Sequence, residues 1–163
     1  MSYNETVMKD LQRIIPQKGK VEWIGIQSKK KEKLSVVESV KVEKGTGLAG
    51  DHFKGSSSRK TQVTLSQQEH LKVISSILGK KGIDPQLTLR KIVVSGINLL
   101  SLKHQQFRIG DVILETTGIC APCSRMWSSP QKVVHLLVWE INPIRNMKGG
   151  LKWLRKDTNP KKS

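Results

Sequence analysis

Both cysteines of the chain lie in one short segment, Cys-Ala-Pro-Cys at residues 120–123. The thiolate is the nucleophilic and soft-metal-binding form of cysteine, and nearby positive charge favours it. Arg125 follows Cys123 by two positions, and the whole chain has a formal net charge of +16. Pro122 also stiffens the backbone before Cys123 and removes one amide donor. These features predict one functional thiolate at Cys123, with Cys120 as a resolving thiol or a supporting neighbour.

Three other interpretations of the two cysteines stay open on the residues alone. A zinc site needs four ligands, or three and a water, and the histidines show no paired spacing of the kind that zinc sites use. The histidines are His52, His70, His104 and His135. A redox pair of the thioredoxin type would stand before a helix, and no clear helix follows the second cysteine. The two residues could also serve as small apolar side chains in the core.

The composition is that of a soluble globular protein. The chain has 163 residues, of which 36% are hydrophobic and 26% charged, enough for one domain with its own core. No apolar run approaches the roughly 20 residues that span a bilayer. The first twenty residues lack the uninterrupted apolar stretch of an export signal. Two cysteines without such a signal predict a reducing, cytoplasmic location and no membrane partner.

Positive charge is the strongest compositional feature. The chain has 29 Lys and Arg against 13 Asp and Glu, and a field of this sign attracts phosphates of nucleic acids or of small molecules. A basic nucleic-acid-binding β-barrel module without catalysis is therefore the alternative function. Aromatic residues make up only 4% of the chain, so stacking platforms for bases are scarce. Nucleic acid is accordingly expected to bind only non-specifically.

Two helices are predicted from the spacing of apolar residues. The first is a short amphipathic helix over residues 4–15, which the next proline stops. The second begins at Ser66, which opens a capping box with Glu69. It ends near Gly79 or Gly82, where a helix commonly terminates.

Segments rich in β-branched residues predict several short strands. They lie at 20–27, 35–45 and 61–65, at Ile92–Val94 where Ser95-Gly96 closes the run, and on both sides of a turn at Gly110-Asp111. The lysine run at 29–33 is expected to be an exposed loop. Residues 45–60 hold four glycines and three serines, and so long a loop usually has a function. Many short strands with one central helix predict a mainly β fold, a closed β-barrel with a few appended helices.

Five stretches of this sequence occur together in a recognisable order and spacing. They are GLAGDHF (47–53), QVTLSQQEHL (62–71), IVVSGINLLSL (92–102), FRIGDVILETTG (107–118) and CAPCSRM (120–126). In this arrangement the chain resembles the MOSC domain. That domain forms the C-terminus of molybdenum cofactor sulfurases and also occurs alone in small bacterial proteins, of which this chain looks like a member.

The resemblance implies a closed β-barrel of the pyruvate-kinase barrel type over residues 20–142. An N-terminal helical extension (1–19) would precede it and a basic C-terminal tail (143–163) would follow. The implied cofactor is the molybdopterin form of the molybdenum cofactor. Cys123 matches the cysteine that in relatives ligates molybdenum or carries sulfur to it as a persulfide. Pyridoxal phosphate is also associated with the family, but no lysine in this sequence has a setting that favours a Schiff base.

The resemblance further implies a chemistry and a protein partner. The chemistry would be sulfur transfer to the cofactor, or reduction of N-hydroxylated compounds at a cysteine-ligated molybdenum. The partner would be an electron donor or a protein that accepts the cofactor. Whether the protein is an enzyme is left open between a molybdenum-dependent oxidoreductase and a sulfurtransferase-like activity.

Five further residues beside the matching stretches are candidates for holding the cofactor. Three are arginines, whose forked guanidinium donors suit a phosphate: Arg59, Arg90 and Arg125. Asp51 could order the glycine-rich loop or accept from the amine edge of the pterin, and Asn98 could do likewise. The ordinary alternatives are solvated arginines and polar residues that close turns.

The chain departs from the family pattern in two places. Lys91 follows Arg90 where relatives commonly have asparagine, so a cofactor contact made by that asparagine is changed or lost. Residues 127–163, which include three of the four tryptophans, do not resemble the last barrel strand of relatives.

Overall fold

The computed structural model describes residues 18–43, 45–53, 62–102, 105–120, 140–142 and 152–156. At 119–120, 140–142 and 152–155 the description is of the backbone alone. Within these residues the chain forms eleven strands and one α-helix. The strands are β1 (Lys20–Ile26), β2 (Ser35–Val36), β3 (Ser39–Glu43), β4 (Gly47–Leu48), β5 (Leu65–Gln67), β6 (Ile92–Ser95), β7 (Gln106–Ile109), β8 (Val112–Glu115), β9 (Gly118–Cys120), β10 (Glu140–Asn142) and β11 (Lys152–Arg155). The helix is α1 (Gln68–Ile77), and short 3-10 helices span Pro85–Thr88 and Leu99–Leu102.

A four-stranded sheet in the order β2-β1-β6-β5 is the largest sheet of the described chain. β5 and β6 are parallel and are connected through α1, whereas the other neighbours are antiparallel. β6 is buried on both faces, as its continuous β-branched sequence predicts. Val93 packs against Leu71 and Ile74 of α1, whereas Ile92 and Val94 face the main core.

The remaining strands form smaller units. β11, β3 and β4 make a three-stranded sheet, β7 and β8 a hairpin, and β9 and β10 an antiparallel pair. β10 lies beside β5 and the 3-10 helix Leu99–Leu102. The main core is apolar and draws residues from several of these units. Its buried members are Val21, Ile24, Val40, Val42, Leu48, Val63, Leu65, Ile92, Val94, Leu99, Ile109, Val112 and Leu114.

The mainly β architecture with one central helix is confirmed. Strands at 20–27 and 92–95 and the hairpin around Gly110-Asp111 are found where the sequence predicts them. The segment 35–45 holds two strands, β2 and β3, rather than one, and the strand predicted at 61–65 begins only at Leu65. The strands of the described residues form four separate sheets, none of which closes into a barrel.

The predicted capping box of the helix is wrong. Ser66 lies inside β5, where it is opposite Val93 of β6, and the helix begins after Gln67 without a side-chain cap. Ser66 therefore pairs with β6 as part of the sheet and does not cap the helix. At the other end the prediction of a stop near Gly79 is confirmed: Gly79 N donates to Ser76 O at 3.1 Å and Lys80 N to Ser75 O at 2.8 Å, the paired bonds of a Schellman motif.

The domain limits stay a prediction. The helix predicted at 4–15 lies outside the described residues, as does most of the segment 143–163. Within that segment β11 pairs with β3 in the register Trp153 to Lys41. In the part of the chain that the structure describes, no helix has the length and apolar character needed to cross a bilayer.

Candidate functional site

The glycine-rich loop after β4 turns sharply and brings Asp51 back toward the sheet. Asp51 N donates to Leu48 O at 3.1 Å, which closes a β-turn. Gly50 has φ +82°, a conformation that the third position of a type II turn requires and that glycine adopts without strain. The turn leaves the Asp51 carboxylate buried, with 4% of its side chain exposed.

Lys91, forty positions further on, is the main partner of this carboxylate. Its Nζ lies 2.9 Å from Oδ2 and 3.1 Å from Oδ1 of Asp51. The Lys91 side chain is only 12% exposed, so both charges are largely removed from water. Removing one partner of such an ion pair is strongly destabilising even if the pair itself contributes little, because the other charge is then buried without compensation.

Two further described residues lie within hydrogen-bond distance of the Asp51 carboxylate. His52 Nδ1 lies 3.2 Å from Oδ1, and Phe53 N donates to the same oxygen at 3.4 Å. His52 is also held from the other side, since its Nδ1 lies 3.1 Å from Gln27 O and its backbone N donates to that carbonyl at 2.6 Å. We call Gln27, Asp51, His52 and Lys91 the Asp51 cluster.

The cluster joins three parts of the chain that are distant in sequence. Gln27 directly follows β1, Asp51 and His52 belong to the glycine-rich loop, and Lys91 directly precedes β6. The pairing of β1 with β6 is continued by Gly25 N, which donates to Lys91 O at 2.8 Å. Gln27 is itself buried, and its Nε2 donates to the Glu32 carbonyl, which folds the lysine-rich loop back onto the sheet.

Arg90 is buried beside this cluster. Only 5% of the residue is exposed, so the interpretation of Arg90 as an ordinary solvated arginine does not apply. Its backbone is held by Thr88, whose Oγ1 accepts from Arg90 N at 3.3 Å. Leu89 between them is in the left-handed region at φ +55°, and this ends the preceding 3-10 helix.

Asn98 lies after β6 and is exposed. Its Oδ1 accepts from Leu100 N at 3.0 Å, and its carbonyl accepts from Ser101 Oγ at 2.7 Å. These contacts cap the 3-10 helix Leu99–Leu102, the ordinary turn-closing role that the sequence left open. Asn98 therefore lies at the opposite end of β6 from Asp51 and Arg90.

A second polar arrangement surrounds Asn98, and we call Gln67, Glu69, Gly96 and Leu99 the Glu69 cluster. Glu69 Oε1 accepts from Gly96 N at 2.7 Å, and Gln67 Oε1 accepts from Leu99 N at 2.9 Å. Burial alone would raise the pKa of Glu69, but hydrogen bonds from the backbone amides of Gly96 and Glu69 outweigh it and lower that pKa. Both side chains thus tie the start of α1 to the chain that leaves β6.

The other predicted site residues lie outside what the structure describes. These are Arg59, Cys123 and Arg125. Cys120 ends β9, whose backbone pairs with β10 in the register Cys120 to Glu140. The predicted roles of both cysteines therefore stay predictions.

Three members of the Asp51 cluster were missed as site residues by sequence reasoning. His52 was considered only as a zinc ligand, although its position next to Asp51 was a usable signal. Lys91 was noted only as a departure from a family pattern, and nothing local marks Gln27. Among the described residues no group of three His, Cys, Asp or Glu side chains could hold a metal ion.

Comparison with solved structures defines the class of fold. The YuaD protein from Bacillus subtilis superposes with a TM-score of 0.67 at 19% identity, covering 87% of this chain and 93% of that chain. YiiM from Geobacillus stearothermophilus gives 0.63 at 10% identity, covering 86% and 73%. YiiM from Escherichia coli gives 0.57 at 12% identity, covering 83% and 65%. At these identities the similarity establishes a common fold.

The family follows from the sequence itself. The model of the MOSC domain matches residues 49–143, which is more than half of the chain. This protein belongs to the MOSC domain family. A search of the curated proteins returned no match.

Proposed function

We propose that this protein binds the molybdenum cofactor in its molybdopterin form and that the thiolate of Cys123 ligates the molybdenum or carries sulfur to it. The observation that carries the proposal is the family match over residues 49–143. All six candidate residues fall inside that range: Asp51, Arg59, Arg90, Asn98, Cys123 and Arg125.

The proposed metal would arrive with its own organic ligand. The described part of the chain has no cluster of three metal-binding side chains and so offers no cage for a bare ion. A soft metal already held by a cofactor needs few protein ligands, and a single thiolate suits it. The proposed ligand is the Cys123 thiolate, which Arg125 would favour.

The cationic residues would hold the phosphate of the cofactor. Lys91 is already neutralised by Asp51 at 2.9 Å, so this lysine contributes little net charge. The phosphate would then fall to the arginines, of which Arg90 is buried next to the Asp51 cluster. A buried guanidinium makes stronger ionic hydrogen bonds than an exposed one.

The bound cofactor would supply the chemistry of sulfur transfer or of N–O bond reduction. A protein partner would deliver electrons or receive the cofactor. We also propose that the domain forms the closed barrel of its family, completed by segments beyond the described residues. An experimental structure in which the strands form one continuous ring checks that part.

The test is the metal and pterin content of protein purified from a host that makes the cofactor. The wild type should contain molybdenum and pterin together. Cys123→Ala should lose the metal, whereas the matched variant Cys120→Ala should largely keep it. Equal metal content in the two variants, or none in the wild type, contradicts the proposal.

The exposed lysine run favours the second candidate function. Lys29, Lys30, Lys31 and Lys33 are all exposed, as expected for a loop that could meet the phosphates of a nucleic acid. This interpretation expects RNA affinity that falls steeply with salt and is unaffected by Cys123→Ala. Weak binding at physiological salt, without sequence preference, would leave the charge as a solubility feature.

A further inference from the structure

We infer that His52 of the Asp51 cluster contacts the ligand directly. In this contact the Nε2 atom of His52 accepts a hydrogen bond from the N–H edge of the bound pterin. The inference rests on the proposed function for the identity of the ligand. The structural part of the inference, namely which nitrogen of the imidazole carries the proton, does not depend on any ligand.

The contacts of Nδ1 determine which ring nitrogen carries the proton. Nδ1 lies 3.1 Å from Gln27 O and 3.2 Å from Asp51 Oδ1. A carbonyl oxygen and a carboxylate oxygen can only accept, so Nδ1 must be the donor. In the neutral imidazole the proton is then on Nδ1, and the lone pair is on Nε2.

Asp51 and Lys91 act as positioning residues for this ring. Lys91 Nζ binds both carboxylate oxygens at 2.9 and 3.1 Å and keeps the carboxylate in place beside the imidazole. A carboxylate on one nitrogen fixes the orientation and tautomer of a histidine ring, as it does behind metal-binding histidines. The ring is thereby organised before any ligand arrives.

Burial indicates that this ring is the accessible end of the cluster. The side chain of His52 is 22% exposed, against 4% for Asp51 and 12% for Lys91. The buried carboxylate therefore supports a nitrogen that a ligand can approach.

The chemistry of the surroundings favours an N–H donor as the group that Nε2 receives. The Asp51 carboxylate already accepts from Lys91, His52 and Phe53, so it has little capacity left for a ligand. The other charged member of the cluster, Lys91, is a donor. Gln27 has an acceptor oxygen but is buried, so within the cluster the more exposed acceptor is His52, and the pterin ring has amine and ring N–H groups along one edge.

The tautomer is tested on the protein without cofactor by two-bond ¹H–¹⁵N NMR in mildly alkaline solution, where imidazole is neutral. We expect a protonated-type shift for Nδ1 and an unprotonated-type shift for Nε2 of His52. A proton on Nε2 overturns the inference directly, whatever the protein binds.

The ligand contact is tested with two amide variants of His52. In His52→Asn the side-chain amide takes the place of Nδ1 and still donates toward Asp51, but nothing replaces Nε2. In His52→Gln the amide reaches the position of Nε2 and can accept there. We expect about tenfold weaker pterin retention in His52→Asn, the effect of one lost hydrogen bond, and retention close to wild type in His52→Gln. The pterin is measured after oxidative release from protein made in a cofactor-producing host.

The outcomes separate this inference from the proposed function. Wild-type protein that holds pterin, with both variants equal to it or equally impaired, overturns the role of His52 and leaves the proposed function standing. Wild-type protein that holds no pterin contradicts the proposed function and with it the ligand contact, even where the NMR spectrum shows the expected tautomer. Urea titration of both variants checks that they fold like the wild type.

Discussion

The two ends of β6 organise their carboxylates in different ways. At the end where β6 begins, the Asp51 carboxylate is 4% exposed and is neutralised by Lys91, which is 12% exposed. At the end where β6 stops, the Glu69 carboxylate of α1 is exposed and accepts a hydrogen bond from the backbone amide of Gly96 at 2.7 Å. A buried charge requires an opposite charge, whereas an exposed one needs only a donor, because water compensates the rest.

This difference teaches which residues can be changed singly. In the Asp51 cluster each charged side chain depends on a partner from a distant part of the chain, so one substitution leaves the other charge uncompensated. In the Glu69 cluster the partner is a backbone amide that no substitution removes. The charged side chains of the Asp51 cluster are therefore sensitive to single substitutions, whereas the carboxylate of the Glu69 cluster is tolerant.

Replacing Lys91 should give the largest effect. Lys91→Met leaves the Asp51 carboxylate buried without its cation, and we expect a loss of about 3–5 kcal/mol in the free energy of unfolding. Urea denaturation followed by circular dichroism measures it. In the double variant Asp51→Asn/Lys91→Met no charge is left unpaired, and most of the loss should be recovered.

The matched control for Lys91 is a lysine in an exposed ion pair. Lys29 is 81% exposed and lies 3.9 Å from Glu32, so Lys29→Met should cost less than about 0.5 kcal/mol. Equal losses for Lys29→Met and Lys91→Met would contradict the distinction between a buried and an exposed charge.

Two turn glycines, one at each end of β6, should give losses of stability of intermediate size when replaced by alanine. Gly50 and Gly96 have φ +82° and +72°, so alanine at either position is strained by about 1 kcal/mol. A Cβ on Gly96 would also lie 3.1 Å from Lys18 O, whereas on Gly50 it would meet only Ile26 Cδ1 at 3.6 Å. We expect Gly96→Ala to cost about 2 kcal/mol and Gly50→Ala about 1 kcal/mol.

Thermal unfolding of the two glycine variants measures this difference. Gly82→Ala is the control, since a Cβ there meets nothing within 4 Å and the residue lacks a positive φ. A larger loss for Gly50→Ala than for Gly96→Ala would show that the loop around Asp51 is the tighter of the two turns.

The smallest effect is expected at Glu69 and depends on pH. The pKa of Glu69 is lowered in the folded protein, so the ionised side chain stabilises the fold above the ordinary pKa of a glutamate in the unfolded chain. That contribution is lost as the pH falls through the folded pKa. Glu69→Gln should remove it, with a loss below about 1 kcal/mol near neutral pH.

Urea titrations from neutral to acidic pH test the Glu69 prediction. The difference between wild type and Glu69→Gln should be present at neutral pH and shrink as the pH falls below the ordinary range of glutamate. A difference that grows toward acidic pH would mean that the folded protein raises the pKa of Glu69 instead.

Local patterns in the sequence predicted the elements that depend on neighbouring residues. The continuous β-branched run at Ile92–Ser95 is a strand because it is apolar on both faces, and the turn at Gly110-Asp111 joins two strands of alternating pattern. The end of α1 follows from Gly79. The start of α1 was predicted wrongly, because Ser66 pairs with β6 and therefore does not form the capping box.

The candidate site was predictable only in part, because its contacts join residues that are distant in sequence. Asp51 and Arg90 were singled out and do lie at the same end of β6, but Asn98 lies at the other end and caps a short helix. The partner of Asp51 was not predictable, because no local pattern links it to Lys91. Arg59, Cys123 and Arg125 lie outside the described residues, and their roles stay predictions.

The sequence by itself determined the mainly β composition, the positions of the most apolar strands and the turn, and membership in the MOSC domain family. Only the tertiary structure decided which polar residues meet. The pairing of β1 with β6 brings Gln27 beside Lys91 and leaves room for the glycine-rich loop to place Asp51 and His52 between them. Contacts of this kind depend on chain segments tens of residues apart, and the free energy that selects them comes from burying the whole core rather than from any one segment.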